Sequence, residues 1–224
     1  MSTVIFGERI KRVEVVDDDA RARAATVLTV ADANLKPFPT AGPLPALNEF
    51  VRNAKHRSDA VVCDHRMRGT YSSFDGAEAV AHLCRAKCPA VLCTRWSKAD
   101  IDTMRRYLPD IPSLISTDDM NPETLIYGFQ VCIREFKNDP IPSRKPWRTL
   151  INVESVNIDT IPKLFFVSIP GWDSKEIIRL PLDLVSPGKR PLIHEGFRFF
   201  AKVNKGTDRS ETLFFSEFEF PAKG

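Results

Sequence analysis

Three stretches of the sequence end in groups that could do chemistry together. Asp17, Asp18 and Asp19 close VEVVDDD, Asp64 closes AVVCD, and Thr94 closes AVLCT. Each follows a short apolar run of the kind that forms a buried strand. If those strands run parallel, their carboxyl ends share one edge and the side chains meet there. Carboxylates gathered in this way repel one another unless a hard cation sits among them. Mg²⁺ takes oxygen ligands and keeps several waters, so two carboxylates and a backbone carbonyl suffice. An aspartate beside such an ion can attack a phosphoryl donor, because the metal neutralises the incoming oxygens. A single aspartate at a strand end is commonly solvated or caps a helix, and Asp18 or Asp19 could cap a helix beginning near Ala20. The combination of an acidic pair, then an aspartate, then a threonine, each after an apolar run, is far more specific.

The elements that must position these groups alternate between strand and helix. Strands are expected at 12–16, 35–40, 60–63, 90–93 and 111–115. The second of these is weakened by Pro37 and Pro39. Helices are expected at 20–30, 44–54, 75–87, 97–107 (with Ser97 as its cap) and 122–136, the last with proline near its start. Leu47, Phe50 and Val51 share one face of the second helix, and Ala77, Val80, Ala81 and Cys84 share one face of the third. Five strand–helix units imply a doubly wound parallel sheet with helices on both faces. Ligands of such sheets bind outside the carboxyl ends of the strands.

VEVVDDD, VVCDHRM, DGAEAV and VLCT, in that order and at nearly that spacing, resemble the receiver domain of the two-component response regulators. The resemblance covers roughly the first 138 residues and implies a flavodoxin-like fold. It implies further that Asp17 and Asp18 are the metal-binding acidic pair, with Asp64 and the backbone of Arg66 as the remaining Mg²⁺ ligands. Asp64 would be the phosphoacceptor and Thr94 the switch hydroxyl that moves toward the phosphoryl group. Asp75–Gly76 would open the third helix. Two departures mark a degenerate, pseudo-receiver-like module. An insertion, 68–74, lengthens the loop before the third helix. Receivers also carry a lysine at the end of the fifth strand, where this chain reads IPSLISTDD: the matching position is Ser116, or Thr117 if shifted by one. Asp118 and Asp119 follow, adding negative charge where an anion should bind. Arg95 or Lys98 are the cations that could reach in instead.

The segment KNDPIPSRK, polar and with two prolines, separates this part from a second of different character. The expected division is 1–138, a linker at 139–147, and a small domain at 148–224. Candidate strands there, 149–156, 164–169, 176–180, 197–203 and 212–220, are punctuated by Pro and Gly and suggest a small all-β barrel or sandwich. Strict alternation along the last two strands puts Phe200 and Phe215 on the wet face, as candidate contacts for a protein partner. From Pro140 onward there are 13 Lys and Arg against 10 Asp and Glu. So mild a surplus, with Glu217 and Glu219 beside the aromatics, makes nucleic acid the weaker alternative.

The whole chain has 224 residues and a formal net charge of +3, which by itself does not argue for nucleic acid. No apolar run approaches the ~18 residues of a membrane span, and the N-terminus lacks the pattern of a signal peptide. A cytoplasmic protein is expected. The five cysteines have no paired spacing and sit mostly in apolar contexts, as buried, reduced thiols do. Together these observations describe a non-enzymatic signalling or adaptor protein that relays to a protein partner through the β-rich domain. The partner would be an upstream kinase, a complex component or a second copy of the chain. The alternative is a receiver-controlled nucleic-acid-binding regulator.

Overall fold

The computed structural model describes residues 3–95 and 98–221. The chain divides into two compact units, Met1–Trp96 with Asp110–Ile141, and Ser97–Pro109 with Pro142–Gly224. The segment 97–109, expected in the first domain, therefore groups with the second. Among the described residues no helix is long and apolar enough to cross a membrane.

The first unit opens with a hairpin that the sequence reading did not anticipate, β1 (Thr3–Ile5) and β2 (Glu8–Ile10). Its two turn residues, Phe6 and Gly7, both have positive φ, 47° and 85°, as a tight hairpin turn requires. Then follow β3 (Arg12–Val16), α1 (Ala20–Asp32), β4 (Lys36–Thr40), α2 (Leu47–Arg57), β5 (Ala60–Asp64), α3 (Gly76–Arg85) and β6 (Ala90–Thr94). After an excursion into the other unit come β7 (Ser113–Ser116) and α5 (Pro122–Phe136). The sheet order is β4-β3-β5-β6-β7 with every pairing parallel, the doubly wound arrangement of a flavodoxin-like receiver. Strand β4 forms despite its two prolines because it is an edge. Pro37 and Pro39, two apart, both put their ring nitrogens on the side away from β3, where no partner needs an N–H. One face of the sheet buries Val13, Val15, Val62 and Val91 with Leu125, Phe129 and Ile133 of α5, and Ile5 and Ile10 of the hairpin join that core. Phe50 of α2 and Val80 of α3 are fully buried, and Phe50 packs on Phe74 with ring centroids 5.6 Å apart. All five cysteines are free and buried. Burial pushes the thiols of Cys88 and Cys93 up to about 12, which leaves them unreactive.

The second unit contains α4 (Lys98–Met104) and an antiparallel sheet of β8 (Trp147–Asn157), β9 (Leu164–Ile169), β10 (Asp173–Pro181), β11 (Arg198–Val203) and β12 (Phe215–Glu219). The order is β10-β9-β8-β11-β12. Ile151, Val153, Phe165, Val167, Ile178, Leu180, Phe199, Ala201 and Val203 form its apolar face. The β-rich character and the approximate strand positions agree with expectation. The side-chain alternation along the last strand does not. Phe215 is only 3 % exposed and lies in the core, while Phe218 and Phe220 pack against the same core. The ladder between β11 and β12 shifts register after Lys202↔Ser216, and Glu217 takes a positive φ of 48°. That bulge inserts a residue and flips the pleat, so strict alternation fails there. Phe200 stays half-buried, with the Arg148 guanidinium 3.6 Å above its ring.

Candidate functional site

The carboxyl ends of β3 and β5 bring three carboxylates together. One ligand oxygen from each of Asp17, Asp18 and Asp64 lies within 4.8 Å of the other two. Strand β3 delivers Asp17 because it pairs with β5 in register, Val16 opposite Cys63. Asp19 does not join the cluster. It caps α1, accepting the backbone N–H groups of Arg21 (2.7 Å) and Ala22 (3.0 Å), which holds its carboxyl below the usual range. The capping aspartate and the clustered pair are thus neighbours with separate tasks.

Electrostatically the cluster is under tension. Burial, then the neighbouring charge of Asp64, pushes Asp17 up to about 6. Burial likewise raises Asp64, although the backbone N–H of Arg66 donates to its Oδ2 at 2.6 Å. The Asp17 side chain is turned by a 2.9 Å bond from the Asp19 N–H to its Oδ1, and its carbonyl accepts from Nη1 of Arg23 at 2.5 Å. The sequence reading missed Arg23, although its place one helical turn after the Asp19 cap aims it back at the strand end. Among the described residues no ion pair compensates these three carboxylates, whose oxygens are of the kind a hard divalent cation takes. The residues present fit Mg²⁺.

The third helix is held close to this site by a glycine. A Cβ on Gly76 would lie 1.7 Å from the Asp64 carbonyl oxygen, and the Gly76 N–H donates to the His65 carbonyl at 2.9 Å. Only glycine lets the start of α3 pass this near the end of β5. The inserted loop, 68–74, is stitched down. The Tyr71 hydroxyl donates to the Thr40 carbonyl at 2.7 Å, and the Leu44 N–H donates to the Tyr71 carbonyl at 2.7 Å. Gly42 makes room for the ring, since a Cβ there would sit 2.3 Å from it.

Thr94 is 1 % exposed, and its Oγ1 donates to the Arg95 carbonyl at 3.3 Å. It directly follows Cys93, the register partner of Asp64, and its own partner on β7 is Ser116. The parallel register therefore puts Ser116, rather than Thr117, opposite Thr94. The Ser116 hydroxyl accepts the Asp118 N–H, starting a short 3-10 turn at Thr117–Asp119. That turn leaves Asp118 and Asp119 exposed. Of the candidate replacement cations, Arg95 is exposed, and the Lys98 side chain, like Trp96 and Ser97, lies outside the described residues. On the second unit, Phe215 is withdrawn as a surface contact by its burial. The basic side chains around Phe200 are engaged: Arg148 with Glu219 and Lys202 with Glu217, both at 2.8 Å.

Comparison with known proteins gives a likeness of fold. No family model and no curated protein matches the chain. Response regulators are among the solved structures similar to it, each with a TM-score below 0.5. A response regulator receiver domain protein from Clostridium thermocellum is 11 % identical with a TM-score of 0.43, over 58 % of this chain and 98 % of that one. The chemotaxis protein CheY4 of Vibrio cholerae is 21 % identical with a TM-score of 0.39, over 54 % and 97 %. A mutant of RitR is 12 % identical with a TM-score of 0.40, over 78 % and 70 %.

Proposed function

We propose that this protein is a non-enzymatic, cytoplasmic signalling or regulatory protein whose first unit is a degenerate receiver. Asp17, Asp18 and Asp64, with the backbone of Arg66, would hold Mg²⁺, and Asp64 would accept a phosphoryl group poorly. The second unit would carry the state to a protein partner. The observation behind this reading is the convergence of the three carboxylates at the carboxyl edge of the sheet, with serine at the register position opposite Thr94. Bound Mg²⁺ would supply charge neutralisation for the incoming phosphoryl oxygens. The chain's own contribution is the nucleophile. An Asp64 oxygen attacks phosphorus, the bond from phosphorus to the donor's leaving oxygen breaks, and that oxygen departs with the electron pair. Thr94, buried at the neighbouring strand end, is the hydroxyl placed to respond. A lysine at position 116 would add a charge-assisted hydrogen bond, worth roughly 1.5–3 kcal/mol. Its absence weakens both occupancy and any switch driven by it.

The test is incubation with acetyl phosphate and Mg²⁺ followed by intact mass, with Asp64→Ala as the blank. Low occupancy that vanishes in the blank is the expected result. High occupancy in the wild type, accompanied by a change in oligomeric state, would show a competent receiver with another cation in place of the lysine. Occupancy unchanged in Asp64→Ala would overturn the assignment of the phosphoacceptor.

A further inference from the structure

We propose that the second unit binds a small zwitterion of free-amino-acid size in the cavity between α4 and β10. The cavity has a volume of about 260 Å³, just below the roughly 300–1,000 Å³ of pockets for drug-sized ligands. Arg105 and Arg179 line it, together with Asp102. Arg105 is 3 % exposed, and its Nη1 donates to the carbonyls of Leu213 at 2.8 Å and Ser210 at 3.3 Å. Its Nε–H remains buried with no partner, and so does the Nε–H of Arg179. Asp102 does not meet this demand, because it is committed to Nη2 of Arg179. Leaving a buried donor unpaired costs about 1–3 kcal/mol, which an acceptor entering the cavity would recover. A carboxylate is the acceptor whose geometry and charge match guanidinium donors.

The same cavity carries the opposite charge. Glu176 and Glu211 line it, both are half-buried, and neither makes an ion pair among the described residues. A simple anion would be repelled by these two carboxylates. A simple cation would be repelled by the two guanidinium groups. A molecule with both charges a few ångströms apart offers a partner to each kind of group, and Ile177, 48 % exposed, also lines the cavity and offers its aliphatic part an apolar contact. Burial pushes the Arg105 guanidinium down to about 10, and a carboxylate beside it would favour its charged form. An α-amino acid with a short aliphatic side chain has this combination of features.

The experiment is thermal unfolding of the full chain with a panel of millimolar amino acids at constant pH. Propionate and propylamine serve as the single-charge controls, and calorimetric titration follows any positive. The expected result is stabilisation by at least one aliphatic amino acid and by neither control. Glu176→Gln, at the half-buried rim, should weaken that binding about tenfold, or ~1.4 kcal/mol, while leaving the ligand-free melting temperature unchanged. Arg179→Lys, which keeps the charge but removes the Nε–H, should weaken it similarly. The proposal is overturned if no amino acid shifts the melting temperature. It is equally overturned if propionate stabilises as well as the amino acids, or if affinity is indifferent to both substitutions.

Discussion

Two carboxylates three residues apart on one strand have opposite fates. Glu14 is fully buried in the middle of β3, yet every demand of its charge is met. It accepts the Thr40 hydroxyl at 2.6 Å and Nε of Arg57 at 2.9 Å, and pairs also with Nη2 of Arg57. Asp17, at the end of the same strand, is 9 % exposed and faces two further carboxylates. Buried charge with its partners in place is architecture. Buried charge set against like charge is a cost that folding alone does not explain, and such unresolved strain gathers where a ligand completes the arrangement.

The largest expected effect breaks the satisfied member. Arg57→Ala strands the Glu14 carboxylate in the core and should cost about 3–5 kcal/mol, read by urea unfolding and unaltered by Mg²⁺. A loss under about 1 kcal/mol would mean that the pair behaves as a surface ion pair and the contrast fails.

The second effect concerns the strained member and depends on pH. The folded pKa of Asp17, about 6, lies above the ordinary aspartate value of 3.8. The folded state therefore binds this proton more tightly than the unfolded state does. The resulting stability is fully present below about 4 and is lost as pH rises through about 6. Stability without metal should fall across that window by an amount on the order of 2–3 kcal/mol. Asp17→Asn should flatten the dependence, and Mg²⁺ should restore stability above the window but not below it. A flat profile in the wild type would remove the electrostatic argument for a cation.

The third effect sharpens the comparison at the neighbouring strand end. Ser116→Lys supplies the cation that β7 lacks and should raise the acetyl phosphate occupancy of Asp64 by one to two orders of magnitude, corresponding to roughly 1.5–3 kcal/mol. It should do so even though it removes the serine that caps the following turn, which costs about 1 kcal/mol of stability. An occupancy no higher than wild type would mean that something other than the missing lysine limits the reaction.

Much of this was legible in the residues because the relevant forces are local. Apolar runs closed by aspartate located β3 and β5, and one closed by threonine located β6. Proline near its start marked α5, expected at 122–136 and found with those ends, where a capping box at Asn121 and Thr124 fixes its first turn. The acidic pocket followed from the parallel topology, which fixes that strand ends share an edge. What the sequence could not decide depends on partners distant in the chain. The glutamate of VEVV reads as an interruption until Arg57, 43 positions away, is folded against it. The outward place of Phe215 in a strict alternation is reversed by a bulge, and a single extra residue in the pairing with β11 flips every side chain beyond it. The helix expected at 97–107 reads as the fourth of five strand–helix units, but Asp102 and Arg105 find their partners at Arg179, Ser210 and Leu213. Sequence patterning determined most of the strand and helix segments and their apolar faces, the N-terminal hairpin and the bulged last strand excepted. Tertiary structure alone decided which buried charges are paired, because that depends on contacts across the chain for which no spacing rule exists.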